Sequence, residues 1–249
     1  MKMKDLENLH RGKAIFIVGA GPSLHFQDVK PLKKFVTIAV NSGVLKAPFC
    51  DYFVTDDKAA YHWMYFHELK NLACTCLFFG GRLKGYSRHI DKNRIVWYDH
   101  KSWYVPSQKK YYPEGLIMTK DPNEPIIGAR TSSGSAIHLA HIMGGDPIIL
   151  LGHDCCFKEG KRYFWQFPGE KRATRKDGGM VPLRPDAPRI KGKQADKHSH
   201  DFLYYWKHLA RQAKEQNIRI INASGGVLDY FERMSLDEVL EKFVDKKCR

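Results

Sequence analysis

Apolar residues in this chain gather into short unbroken runs, each closed by glycine or a polar residue. The run from Lys13 to Val18 ends at Gly19, and the run from Phe35 to Val40 ends at Asn41. Asp51 to Thr55 ends at Asp56 and Asp57. Pro147 to Leu151 leads into Gly152, His153 and Asp154, and Ile218 to Ile221 leads into Asn222. Runs of this length without polar alternation suit strands buried on both faces, as in parallel sheets. Cys74 to Phe79 and Arg94 to Tyr98 are further strand candidates.

Between these runs the spacing becomes helical. Pro22 opens a short helical turn after Gly21, where its fixed φ is already helical. Ser133 to Met143 predicts a helix with small residues at its start, ended by Gly144, Gly145 and Asp146. Asp201 to Gln216 is amphipathic, and Leu236 to Phe243 predicts a last helix with Ser235 as its cap. Strands alternating with helices give an α/β protein with a doubly wound, mostly parallel, Rossmann-like sheet. In such sheets ligands bind beyond the carboxyl ends of the strands. Gly19 to Ser23, Asn41, Asp56, Asp57, Asp154 and Asn222 all fall at those ends, which predicts one site.

Two stretches break the rhythm. Residues 99–129 are rich in Lys, Tyr and Pro, and residues 157–200 carry many charges, including Lys171, Arg172, Arg175 and Lys176. A long polar stretch inside a compact domain suits a lid or a binding loop. No linker or repeat divides the 249 residues. The reading is one nucleotide-binding domain over residues 1–249 with a lid-like basic insertion at 157–200.

Charge narrows the partners. The 41 basic and 27 acidic residues leave a formal net charge of +14. Such an excess attracts nucleotides, nucleic acid or anionic glycans, and it equally suits a plain basic surface. The six cysteines form no C-x-x-C pair, so a zinc knuckle is not expected. The charged start and the brevity of its first apolar run point to reduced thiols in a cytoplasm, with no spanning segment.

The chemistry concentrates in two loops. Gly19, Ala20, Gly21, Pro22 and Ser23 place backbone N–H groups and a hydroxyl at a strand-to-helix turn, which suits an anion or simply a tight turn. It is neither a dinucleotide fingerprint nor a P-loop, because Leu24 holds the third glycine position and no Gly-Lys-Ser/Thr follows. Arg130, Thr131, Ser132, Ser133 and Gly134 precede a helix and could hold a phosphate or form an ordinary N-cap. Asp154 suits ribose hydroxyls or a metal, and Asp56 and Asp57 suit substrate, a helix cap or a Mg²⁺ carried by phosphates. His198 and His200 lie before the amphipathic helix and are candidate general bases. Tyr163 stands among aromatics and cations that suit stacking on a sugar or a base, and packing equally.

These residues resemble two related groups over roughly residues 13–231. Gly-x-Gly-Pro-Ser-Leu after the first strand and Asn after the second recur in bacterial lipooligosaccharide sialyltransferases, and Arg130 to Gly134 matches their Arg-x-Thr-Ser-Gly before a helix with Ser132 in the Thr place. Gly-x-Asp and a late His recur there too. The chain also resembles the DUF115 proteins, which include motility-associated glycosyltransferases, 6-hydroxymethylpterin diphosphokinases and many phage members. The resemblance implies a Rossmann-like variant of the GT-A glycosyltransferase fold. It implies that Gly19, Gly21, Pro22, Ser23 and Asn41 line a nucleotide pocket. Thr131 to Gly134 would hold phosphate, Asp154 would sit near the ribose, and His198 or His200 would be the base. Tyr163 matches a tyrosine that assists the leaving phosphate, while Cys156 replaces another and Ala20 replaces an Asn. Aspartates at 56 and 57 lean toward the DUF115 branch.

The first expectation is therefore a glycosyltransferase. It would use a nucleotide-sugar donor, no resident metal and a hydroxyl acceptor, such as one on modified DNA or an anionic glycan. The alternatives are a Mg²⁺-dependent diphosphokinase and a non-catalytic nucleic-acid-binding protein.

Overall fold

The computed structural model describes residues 1–56, 69–80, 90–101, 104–105, 110–111, 117–128, 131–173, 189–190, 193–194 and 197–244. Its centre is a sheet of eight strands, all paired in parallel. They are β1 (Ile15–Val18), β2 (Val36–Val40), β3 (Tyr52–Thr55), β4 (Thr75–Phe79), β5 (Ile95–Tyr98), β6 (Ile148–Leu151), β7 (Ile220–Asn222) and β8 (Glu232–Arg233). The spatial order is β8-β7-β6-β1-β2-β3-β4-β5. The chain winds outward from β1 to β5, then returns to place β6 on the other side of β1. The switch point therefore lies between β1 and β6, with Ile15 beside Ile148 and Val18 beside Leu151.

The central strands are buried on both faces because every second side chain enters a different core. Ile15, Ile17, Ile148 and Leu150 face α1 (Ser132–Ile142) and α2 (Lys197–Glu215), meeting Ile137, Leu139, Ala140, Trp206 and Leu209. Phe16, Val18, Ile149 and Leu151 face the opposite way. They meet Leu24, Leu32, Phe164, Trp165 and, from α3 (Leu236–Val244), Leu236 and Val239. Further along the sheet, Cys50, Cys74 and Cys76 join Phe53 and Phe78 in a third apolar cluster, all three thiols free.

Local signals set the element ends. Pro22 starts a 3-10 turn, Pro22–Phe26. Thr131 caps α1 by accepting the Gly134 N–H at 2.9 Å, and Gly144 follows the helix with φ +77°. Ser235 caps α3 through a reciprocal pair with Glu238, its Oγ accepting the Glu238 N–H at 3.2 Å. α2 begins before its apolar pattern does, at Lys197.

The insertion expected at 157–200 is integrated into the domain in its first part. Phe164, Trp165 and Ala173 are buried on the α3 side of the sheet, and the Phe164 N–H donates to the Ala20 carbonyl at 3.1 Å. Its later residues fall largely outside the described ones. Among the described residues, no helix is long and apolar enough to cross a membrane.

Candidate functional site

Two loops meet at the β1–β6 switch point, and their backbones clasp each other. The Gly19 N–H donates to the Leu151 carbonyl at 2.7 Å, and the Gly21 N–H donates to the Gly152 carbonyl at 2.8 Å. This closeness requires glycine. A Cβ at position 19 or 21 would stand 2.7 Å from the Gly152 oxygen, and one at 21 would also strike Asp154 Oδ2. Pro22 and Ser23 are buried just beyond.

Asp154 completes the clasp. Its Oδ2 accepts from Ser23 Oγ at 2.8 Å and from the Ser23 N–H at 3.3 Å. The residue is 2 % exposed. Burial raises its carboxyl above the usual range, and the Ser23 hydrogen bonds oppose that shift. Gly225 and Gly226 close over it, and its own carbonyl accepts the Val227 N–H at 2.9 Å. Asp154 thus joins three strand-end loops. The N–H groups of Gly19, Gly21 and Ser23 are engaged within the protein, so they are not what these residues offer an anion.

Asn41 sits at the end of β2 in the left-handed region, φ +52°, a conformation asparagine tolerates better than most residues. Its Oδ1 is buried and has no hydrogen-bond partner among the described residues. An unpaired buried acceptor is uncommon and suits a ligand that donates a hydrogen bond. Ser42 beside it accepts the Trp165 Nε1–H at 3.1 Å. Tyr163 stacks on Trp165 with centroids 5.0 Å apart, and the Arg162 guanidinium lies 5.3 Å from the Tyr163 ring centre. An aromatic platform therefore stands next to the strand ends.

Asp56, after β3, binds the start of α1. Its N–H donates to Ser132 Oγ at 2.9 Å, and Ser135 Oγ donates to its Oδ2 at 2.6 Å. Tyr98 of β5 donates its hydroxyl to Oδ1. Burial, then the neighbouring Asp56 charge, holds the Tyr98 phenol well above its ordinary range. Asp56 and Asp154 are thus both occupied by hydroxyl donors. That does not fit either as a ready ligand of Mg²⁺. Among the described residues, no group of three His, Cys, Asp or Glu side chains could hold a metal ion.

The structure brings together Gly19, Gly21, Pro22, Ser23 and Asp154 in one clasp, and Asp56 with Thr131, Ser132, Ser133 and Gly134 at the start of α1. Asn41 and Tyr163 stand at the same sheet edge. Asp57 and Arg130 lie outside the described residues. His198 and His200 fall in the first turn of α2, with side chains outside them too. Trp206 of α2 meets His153 edge-on at 5.7 Å. The two histidines lie six to eight positions before it, ~9–12 Å along the helix axis.

Sequence reasoning passed over His153. Its Nε2 lies 2.9 Å from Ser133 Oγ, which joins the β6 loop to α1. The residue is 5 % exposed, and burial pushes its imidazole down to about 4. The one signal available was its place between Gly152 and Asp154. Tyr98 and Ser135 were passed over as well, since nothing local distinguishes them from core and helix residues.

A comparison with protein families matches residues 1–160 to the MptE-like family, described as 6-hydroxymethylpterin diphosphokinase MptE-like. No curated protein and no solved structure matches the chain. The matched part carries β1 to β6, both glycine loops, Asn41, Asp56, the start of α1 and Asp154. With well over half its length inside that match, the chain belongs to the MptE-like, DUF115-type family.

Proposed function

We propose that this protein is a nucleotide-dependent transferase working at the carboxyl edge of the sheet, around the β1–β6 switch point. The observation that carries the reading is the meeting of the clasped loops with the N-terminus of α1. The first turn of a helix presents N–H groups and the positive end of its dipole, a setting for phosphate. Asn41, with its unpaired acceptor, suits an N–H or O–H donor on the nucleoside.

The family's description favours diphosphate transfer. In that reaction a hydroxyl oxygen of the acceptor attacks the β-phosphorus of a nucleoside triphosphate. The bond from that phosphorus to the α-phosphate bridging oxygen breaks, and a nucleoside monophosphate leaves. The acceptor proton passes to a base, for which His198 and His200 are the candidates. The triphosphate enters with its own Mg²⁺ as substrate.

A second reading is glycosyl transfer from a nucleotide sugar, with the same base and no metal. The Tyr163–Trp165 stack favours it, since a flat aromatic face suits a sugar or a base. For either reaction the +14 charge suits an anionic acceptor, such as DNA or an anionic glycan.

The test is product analysis by mass spectrometry. The protein is given ATP or GTP with Mg²⁺ and a hydroxymethylpterin, and separately CMP-, UDP- and GDP-sugars in EDTA with glycan and DNA acceptors. Nucleoside monophosphate with a diphosphorylated acceptor supports the first reading. A glycosylated acceptor made in EDTA supports the second. Consumption of neither donor class refutes the transferase reading.

A further inference from the structure

Phe26 closes the 3-10 turn that follows the first glycine loop, and it is 51 % exposed. A lone exposed ring on a protein surface needs no explanation. This one is braced. His25 meets it edge-on at 4.8 Å, and the buried Phe167 meets it edge-on at 5.4 Å. His25 in turn lies flat on Phe167, with centroids 4.4 Å apart and planes 7° apart. Glu170 ties the brace to the domain, accepting from Lys46 Nζ at 2.6 Å and lying 3.0 Å from His25 Nδ1. The ring is a fixed platform, so a ligand need not order it on binding.

Cations stand beside the platform. Lys158 and Lys161 exchange both backbone hydrogen bonds, at 3.0 and 2.9 Å, across a two-residue turn. Glu159 and Gly160 hold the corners of that turn at positive φ, +51° and +69°, as a tight hairpin requires. The hairpin leaves from the Asp154 loop and carries Lys158 Nζ to 3.8 Å from the Phe26 ring centre. The same ammonium is near enough to Asp154 to favour its ionised form, so the platform borders the clasp. Just after the hairpin the pairing recurs, with the Arg162 guanidinium 5.3 Å from the Tyr163 ring centre.

A braced, exposed ring among ammonium and guanidinium groups suits a ligand that alternates π-faces with negative charge. We infer that Phe26 and the hairpin at residues 158–161 form a surface that binds single-stranded nucleic acid, with a base stacked on Phe26 and its flanking phosphates on Lys158 and Lys161. A duplex hides its π-faces inside the stack, and an anionic glycan offers charge without a π-face. The net charge of +14 draws polyanions to the surface at large, and the platform decides where an unstacked strand settles. An acceptor role for that strand rests on the transferase reading above. Its binding here does not.

The test is fluorescence anisotropy of the full chain, without donor nucleotide. The labelled probes are an oligothymidylate, the same strand annealed to oligoadenylate, and heparin. Wild type should bind the single strand more tightly than the duplex. Phe26→Ala should weaken single-strand binding about 5- to 150-fold, the scale of one lost stacking contact, and leave duplex and heparin binding unchanged. Phe26→Tyr keeps a flat ring and should keep the affinity. Lys158→Gln should reduce the slope of log affinity against log salt by about 0.7. Equal Tm values in wild type and Phe26→Ala exclude a folding defect, since the ring is half-exposed.

Wild-type single-strand affinity in Phe26→Ala overturns the inference, as does a wild type that binds no strand or prefers the duplex. Equal losses of heparin and strand binding in Phe26→Ala mark an anionic-glycan platform and overturn it too. With no donor present, such failures leave the transferase reading standing. A strand that binds but is never modified supports the surface and counts against the acceptor role alone.

Discussion

His138 offers a measurement of how firmly α1, the helix that opens at the candidate site, is held. Its Nδ1 accepts the Ile127 N–H at 2.9 Å, and its Nε2 faces the Thr119 carbonyl at 2.8 Å. The tautomer is therefore fixed, with the proton on Nε2. A second proton on Nδ1 would confront the Ile127 N–H. Burial pushes this imidazole down to about 4 from an ordinary 6.5. A depressed pKa in the folded state means stability that is present above the unfolded value and lost as the pH falls through the folded value. The unfolded chain takes up a proton near 6.5, and the native ring refuses it until about 4. Between these values stability should fall by about 1.4 kcal/mol per pH unit from this one residue. From pH 7 to pH 4.5 the loss amounts to roughly 2 kcal/mol.

The variant His138→Asn isolates this contribution, because asparagine does not titrate and its amide oxygen can still accept from Ile127. At pH 7 it should be about 2 kcal/mol less stable than wild type, having lost the Thr119 bond and the ring's volume. At pH 4.5 the gap should close to near zero. His153, also pushed down to about 4 by burial, titrates in both proteins and cancels in the difference, and His141, lowered chiefly by burial and then by Lys120, cancels apart from its smaller coupling to His138. Urea unfolding followed by tryptophan fluorescence at four pH values from 7 to 4.5 reads it. A gap that stays the same at every pH would refute the reasoning.

Other expectations follow from the clasp and its surroundings. Gly21→Ala drives a methyl into Asp154 Oδ2 and the Gly152 carbonyl and should cost about 2 kcal/mol or more, lowering Tm by about 4–8 °C; an unchanged Tm would mean that the loops do not touch as described. Tyr98→Phe removes a buried donor from Asp56 and should cost ~1–3 kcal/mol, read as a lower urea midpoint. Ser235→Ala breaks the α3 cap and should cost about 1 kcal/mol without altering pyrophosphate binding.

Much of this fold was legible because its signals are local. The apolar runs marked β1 to β7, and Pro22, Gly144 and Ser235 marked element ends by their own backbone preferences. β8 was missed because Glu232 and Arg233, exposed at the edge of the sheet, carry no apolar run. Residues 157–173 were expected to open a lid because their charges hide Phe164 and Trp165, which the β1 loop and Ser42 draw into the core.

The sequence by itself determined that glycine, hydroxyl and carboxylate residues would gather at the carboxyl ends of parallel strands, since strand direction fixes where each run must end. Only the tertiary structure decided how those groups share their hydrogen bonds. Ser23 and Asp154 are 131 positions apart, and His153 and Ser133 are 20 apart. No local pattern shows that one pair closes a loop junction while the other ties the β6 loop to the start of α1. That allocation depends on which strand lies beside which, and the return of β6 to the flank of β1 settles it.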